Sequence, residues 1–285
     1  MVEVKKVGVI GCGLMGGGIA QVSAQAGYPT VAREVNQELL DKGLAVIRAN
    51  LARNVERGRM TQQEMDQTLG RLKGTVALED FKDCDIVIEA IFENIEEKKK
   101  LFSALDTICP AHTILASNTS SLTVVEMAAV TKRASKVVGI HFFSPVPVMK
   151  LVEIVRTIVT DDDTMDTAVK LGKSFGKAVV LAKDLPGFIV NRLLIPYLID
   201  AARVYGEGLA SKEDIDQAMV LGCNHPMGPL TLMDFVGIDI TCHAAEALYQ
   251  EYGDPRFAPP PILRRMLLAG HLGRKTGKGF YDYRK

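Results

Sequence analysis

A short apolar run that breaks into closely spaced glycines constrains this 285-residue chain more than any other stretch. It reads Val7-Gly-Val-Ile-Gly-Cys-Gly-Leu-Met-Gly-Gly-Gly-Ile19. Val7 to Ile10 suits a strand buried on both faces, and Ile19 to Ala26 is apolar enough for a helix. Between them Gly11, Gly13 and Gly16, with Leu14 and Met15 in the turn, fit the spacing G-x-G-x-x-G. The first glycine permits a tight turn, the second lets backbone approach a pyrophosphate, and the third lets helix and strand pack closely. Phosphate then sits at the helix N-terminus, where unpaired amides and the helix dipole favour an anion. The stretch predicts a dinucleotide site; the competing reading is any tight strand-to-helix turn.

The next strand, Thr30 to Glu34, ends on an acid about 20 residues beyond the glycines, where a ribose acceptor belongs. A carboxylate there accepts from the adenosine ribose hydroxyls and repels a 2′-phosphate, which favours NAD over NADP. Arg33 pulls the other way if it, rather than Glu34, faces the ribose. An amphipathic stretch from Asn36 to about Arg57 follows, with Leu40, Leu44, Ile47, Leu51 and Val55 at helical spacing, then a second helix from Thr61 to Leu69. On the first of these, Arg53 and Arg57 share a face, with Arg48 and Arg59 nearby. This basic face is either solvated surface or a clamp for a second, phosphate-bearing ligand.

Alternation of strands and helices resumes through Gly74–Leu78, Asp85–Ala90, a helix over Ile95–Ile108 and Thr113–Ser117, predicting a mainly parallel, doubly wound α/β sheet of the Rossmann type. Ligands of such sheets bind beyond the carboxyl ends of the strands, which places Glu93, Ser117, Asn118, Thr119 and Ser120 at the site. Thr123 and Glu126 have capping-box spacing. Val137–His141 and Leu151–Val159 are joined by a short proline-containing connection and are expected to be antiparallel neighbours, bringing His141 and Glu153 within hydrogen-bond reach. An imidazole with a carboxylate on its other nitrogen is the arrangement of a base and its orienter. The bland alternative is a structural histidine at a strand end.

After a helix near Asp163–Phe175 and a strand over Ala178–Leu181, Asp184-Leu-Pro-Gly187 breaks the rhythm and the rest reads as helical. The expected division is a dinucleotide-binding domain over 1–186, with a helical insertion near 36–72, and an all-α substrate and dimerisation domain over 187–285. Asn191 lies just past that boundary. Leu193, Leu194, Ile195, Leu198 and Ile199 put apolar groups on more than one helix side, which suggests a subunit interface and a homodimer. Gly270 to Gly279 is expected to be a polar, flexible tail.

With 34 basic and 34 acidic residues and 47% hydrophobic residues, neither disorder, nor a nucleic-acid coat, nor a polybasic membrane anchor fits the chain. No apolar run approaches the roughly 18 residues of a spanning helix, and a cytoplasmic enzyme, or an organelle protein after processing, is expected. The five cysteines are scattered without a C-x-x-C pair, so no metal site or disulfide framework is expected.

Taken together, the blocks Gly11-Cys-Gly-Leu-Met-Gly16, Ile88-Glu-Ala-Ile-Phe-Glu-Asn94, Ala116-Ser-Asn-Thr-Ser-Ser-Leu122, His141-Phe-Phe-Ser-Pro-Val-Pro-Val-Met-Lys-Leu-Val-Glu153, Pro186-Gly-Phe-Ile-Val-Asn-Arg192, Asn224-His-Pro-Met-Gly-Pro-Leu230 and Gly273-Arg-Lys-Thr-Gly-Lys-Gly-Phe-Tyr281 resemble the L-3-hydroxyacyl-CoA dehydrogenase family across nearly the whole chain. The compactness of the chain is similar to that of the family's single-activity bacterial 3-hydroxybutyryl-CoA branch. The resemblance implies His141 as catalytic base, Glu153 as its partner, and Ser117 and Asn191 as substrate contacts. It implies acyl-CoA contacts near Asn50, Arg53 and Arg57, and NAD contacts at Gly11 to Gly16, Glu34, Glu93, Lys98, Ser117, Asn118 and Lys275. Three positions depart from the family's pattern: Glu34 for aspartate, Ser144 for asparagine and Thr231 for glutamate. The rival expectations are a dehydrogenase of free 3-hydroxy acids and a dinucleotide binder without chemistry.

Overall fold

The run Val7–Ile10 forms β1, buried at all four positions. In the computed structural model, which describes residues 2–284, residue contacts divide the chain into two units, Met1–Leu185 and Pro186–Lys285. In the first, β1 is followed by α1 (Leu14–Gln25), β2 (Thr30–Arg33), α2 (Gln37–Glu56), α3 (Gln62–Gly70) and β3 (Leu72–Thr75). Then come β4 (Ile86–Glu89), α4 (Ile95–Ile108), β5 (Ile114–Ser117), α5 (Val124–Ala128), β6 (Val137–Phe142), β7 (Leu151–Arg156), α6 (Asp162–Ser174) and β8 (Ala178–Lys183). The strands form one sheet in the order β3-β2-β1-β4-β5-β6-β7-β8. Every neighbouring pair is parallel except β6 and β7. This is the doubly wound, Rossmann-like sheet expected from the alternation. Burial of all four residues in β1, β4 and β5 follows from helices covering both faces.

The helix starts are set by side chains. Asn36 accepts from the Leu39 amide, Asn94 from that of Glu97 and Asp161 from that of Thr164. Thr61 and Glu64 close a reciprocal capping box at α3. The box expected at Thr123 does not form. The Asp184 carboxylate accepts instead from the Val124 and Val125 amides, at 2.8 and 2.7 Å, while Glu126 pairs with Lys99. Charge explains the exchange, since a carboxylate satisfies two helix-terminal amides and complements the dipole better than a hydroxyl. Nor does β7 run on to Val159. The Thr157 and Thr160 side chains bond each other and the nearby backbone, and Thr160 reaches the Val137 carbonyl, which turns the chain at Arg156.

The second unit is helical: α7 (Val190–Gly206), α8 (Lys212–Cys223), α9 (Pro229–Val236), α10 (Ile238–Tyr252) and α11 (Pro261–Leu268). Ile195, Leu198 and Ile199 lie in its own core with Met233, Leu248 and Phe257, and Leu194 packs against them. Of the five apolar residues that suggested an interface, only Leu193 is exposed, at 70%. Most of that signal was therefore internal packing.

The glycine-rich tail is ordered, against expectation. The buried Asp234 carboxylate accepts from the Phe280 and Tyr281 amides, both at 2.9 Å, and from the Tyr283 hydroxyl at 3.1 Å. A Cβ on Gly279 would fall 1.9 Å from Asp234 Oδ1, so the glycine there serves close approach rather than mobility. Asp234→Ala would leave one buried and one half-buried amide unpaired, and we expect a loss of about 3–5 kcal/mol of stability. Chemical denaturation checks it; a loss under about 1 kcal/mol, the worth of a single exposed hydrogen bond, contradicts the role given to Asp234.

Candidate active site

The glycine loop has the form a pyrophosphate requires. Gly11 adopts φ +91°, and a Cβ there would meet the Ala90 carbonyl oxygen at 2.6 Å. A Cβ on Gly16 would sit 1.7 Å from the Gly11 oxygen, whereas one on Gly13 would meet nothing within 4 Å. The first and third glycines thus serve packing within the protein, and the second faces open space at the start of α1. Leu14 beside it is exposed and Met15 packs on the core. Helix α2 crosses close to this loop at Gly43, where a Cβ would lie 2.3 Å from the Cys12 carbonyl oxygen.

Glu34 follows β2 directly and reaches back to the loop, its carboxylate accepting from the Cys12 amide at 2.7 Å and from Val35 at 3.1 Å. Arg33 turns away, donating to the Val76 carbonyl. The acid, not the arginine, therefore stands at the dinucleotide loop, which fits a ribose diol and disfavours a 2′-phosphate. Burial and the charge of Glu34 push the Cys12 thiol up to about 11, so it stays protonated and adds no anion to the loop. A glycine cradle, free helix-terminal amides and a ribose acceptor together fit NAD.

At the carboxyl ends of β4, β5 and β6 a polar network fills the sheet edge. Glu89 and Ser117 are register partners across β4 and β5, and Ser117 pairs with Gly139 across β5 and β6. The Glu89 carboxylate, fully buried, accepts from Ser117 Oγ at 2.7 Å, from the Ile91 amide at 2.9 Å and from Lys98 Nζ. Burial raises its pKa, while Lys98 and Ser117 oppose that rise by favouring the ionised form. Lys98 also pairs with Glu93 at 3.2 Å, and Glu93 accepts from Thr119 Oγ1 and the Ser120 amide, both at 2.8 Å. Lys98 is therefore engaged with carboxylates inside the fold, and Glu93 is the network's outer, half-exposed member. Asn118 accepts from the Phe142 amide at 2.9 Å, which fixes the backbone next to His141.

His141 and Glu153 stand directly opposite each other across the antiparallel pair, with Nδ1 2.7 Å from Oε2. Both are buried, at 5% and 0% exposure. The connection between their strands contains a cis Ser144–Pro145 bond and is held by Lys177, whose ammonium donates to the Val146 and Met149 carbonyls at 2.6 and 2.7 Å. Ser144 is exposed on this connection. Burial lowers the pKa of Lys177. Neither Glu89 nor Lys177 was singled out in the sequence, where each reads as an ordinary charge beside an apolar run.

On α2, Arg53 is exposed and Asn50 half-buried, with Arg48 exposed on the same helix and Arg57 and Arg59 exposed just beyond it. Among the described residues no carboxylate pairs with any of these arginines. The second unit carries Asn191 in the first turn of α7, half-buried. It also pairs Lys275 with Asp239 at 2.6 Å, and Thr231 with Asp216 through both its amide and its hydroxyl. Asp216 further accepts from the Leu230 amide and contacts the Tyr281 hydroxyl. Thr231 therefore belongs to a cap of α9. Among the described residues no group of three or more potential metal ligands occurs, and no helix is long and apolar enough to cross a membrane.

Comparison with known proteins agrees over the full length. Residues 6–185 match the family described as 3-hydroxyacyl-CoA dehydrogenase, NAD binding domain, and residues 187–283 match its C-terminal domain. The chain is 47% identical to a probable 3-hydroxybutyryl-CoA dehydrogenase of Bacillus subtilis, covering 99% of this chain and 98% of the relative. It is 46% identical to a 3-hydroxybutyryl-CoA dehydrogenase of Clostridioides difficile, covering 98% and 100%. A crystal structure of (S)-3-hydroxybutyryl-CoA dehydrogenase from Ralstonia eutropha superposes with a TM-score of 0.95 at 44% identity, covering 99% of this chain and all of that one.

Proposed function

Because the chain belongs to the 3-hydroxyacyl-CoA dehydrogenase family, an NAD-dependent enzyme family, we propose that it interconverts short-chain 3-hydroxyacyl-CoA and 3-oxoacyl-CoA esters such as 3-hydroxybutyryl-CoA and acetoacetyl-CoA. The observation that carries this reading is the buried His141–Glu153 pair at the carboxyl edge of a sheet that also bears a dinucleotide loop. Bound NAD supplies the hydride acceptor or donor. With Nδ1 held by Glu153, His141 exchanges the substrate proton at Nε2, as base toward the hydroxyl and as acid toward the ketone. Glu153 fixes the ring and offsets the charge it gains. Ser117 orients the C3 oxygen.

The basic face of α2 takes the CoA nucleotide through Arg53 and Arg57, with Asn50 beside them. Phosphate esters are the natural partners of exposed guanidinium groups that no carboxylate among the described residues neutralises. Rates with acetoacetyl-CoA and with the acetoacetyl thioester of N-acetylcysteamine, which keeps the reacting group and lacks the nucleotide, test this directly. An Arg53→Ala/Arg57→Ala variant is expected to lose about 10- to 100-fold in kcat/KM for the CoA ester and little for the truncated one. Equal losses on both would remove the arginines from CoA recognition.

A further inference from the structure

Lys177 buries an ammonium that takes no part in the proposed proton or hydride transfer. Among the described residues no carboxylate pairs with it. Burying an unpaired cation is costly, and an apolar side chain would fill the same space without that cost. What the charge holds is therefore informative: Nζ donates to the Val146 carbonyl at 2.6 Å and to the Met149 carbonyl at 2.7 Å. Both carbonyls belong to the connection between β6 and β7, the strands that carry His141 and Glu153. The connection begins at Phe143, whose ring lies 4.5 Å from the imidazole, centroid to centroid. Its far end is fixed as well, since the Lys150 carbonyl accepts from the Ala178 amide at 2.7 Å.

The same connection touches the dinucleotide helix. Val146 is buried against α1 at Gly18, where a Cβ would fall 2.8 Å from Val146 Cβ and 3.4 Å from Pro147 Cδ. Across the sheet, by contrast, β6 stands three strands from β1, roughly 14 Å away. We infer that Lys177 is a positioning residue: it pins the connection onto α1 at Gly18, which sets the distance between the helix that holds the cofactor and the His141 imidazole. Nicotinamide and base have to be in register with the same C3–O bond, and an error of about 1 Å costs on the order of 10²-fold in rate. This rests on the reading of His141 as the acid and base.

Lys177→Met keeps the apolar stem and removes the donors. Its kcat with acetoacetyl-CoA, counted per NADH-binding site, is expected to fall about 10- to 100-fold. KM for the ester and affinity for NADH should stay within about twofold. A merely structural role would instead lower the number of NADH-binding sites and leave kcat per site unchanged. Gly18→Ala presses on Val146 from the helix side and is expected to lower kcat per site about 10-fold, again with NADH affinity kept. A connection freed from Lys177 can yield to that methyl, so the double variant should lose less than the product of the two single losses. If Lys177→Met does not fold, the Gly18→Ala arm alone decides.

Unchanged kcat per site in either variant overturns the inference, as does an NADH affinity that falls as far as kcat, or single losses that multiply. Each of these leaves turnover by the wild-type protein standing. A wild-type protein that does not turn over acetoacetyl-CoA overturns the functional reading, and this inference with it.

Discussion

His141→Gln is expected to lower turnover of acetoacetyl-CoA by about 10²- to 10⁴-fold, the usual worth of a positioned acid or base, while NADH affinity changes by less than about twofold. Glutamine is the informative substitution because its amide can still donate to Glu153, 2.7 Å from Nδ1 in the native pair. Alanine would remove a hydrogen-bond partner of a fully buried carboxylate and confound loss of chemistry with loss of stability. Glu153→Gln is expected to impair turnover through the same imidazole, by removing the charge that stabilises its protonated form. The double variant should then be no worse than His141→Gln alone, since residues that act as a unit are not additive. Near-normal turnover by His141→Gln would remove the histidine from the mechanism, and multiplicative losses would separate it from Glu153.

The glycine loop supports a prediction of comparable size, in which two alanine substitutions three residues apart fail differently. Gly16→Ala places a Cβ 1.7 Å from the Gly11 carbonyl oxygen, and backbone cannot yield there without moving α1 off β1. A loss of about 3 kcal/mol of stability or more is expected, together with loss of NADH binding. Gly13→Ala meets nothing within 4 Å, and the backbone at φ −73° and ψ −157° is extended, outside the left-handed region that favours glycine. The protein should melt as the wild type does. Its NADH affinity should nevertheless fall about 10- to 100-fold, because the new methyl occupies the space through which the phosphates approach the amides. Fluorescence titration and a thermal melt on both variants distinguish these outcomes. A Gly13→Ala protein that binds NADH normally would show that the pyrophosphate does not lie on this loop.

These two sites differ from the rest of the molecule in how far they could be read from the chain. The loop was legible because its chemistry is local: three glycines, a preceding buried strand and a following helix lie within 19 residues. His141 and Glu153 were legible because a short connection implies an antiparallel pair, and in such a pair one register brings the two side chains together. Glu89 was not, because a glutamate that ends an apolar strand reads as an exit residue. Its partners, Lys98 and Ser117, arrive 9 and 28 positions later through loops whose geometry no periodicity encodes.

Capping failed for a related reason. Thr123 and Glu126 had the right spacing, but the start of the helix is capped instead by Asp184, about 60 residues away, which takes the Val124 and Val125 amides. The tail misled through composition. Its glycines signalled flexibility, whereas Gly273 and Gly279 are small because Asp234 passes so close to them. Long-range carboxylates are the common element in all three misses, since each satisfies backbone or side-chain donors far from it in the chain.

The most direct test of the account is the initial rate of NADH oxidation by the wild-type protein with acetoacetyl-CoA, set against free acetoacetate and against NADPH. The account predicts rapid oxidation with the ester. It predicts a kcat/KM at least about 10²-fold lower with the free acid, because binding energy from the remote CoA moiety is used at the reacting carbon. NADH should be preferred over NADPH, because Glu34 rather than Arg33 stands at the dinucleotide loop. Equal rates with ester and free acid, or no oxidation of NADH with either, would contradict it.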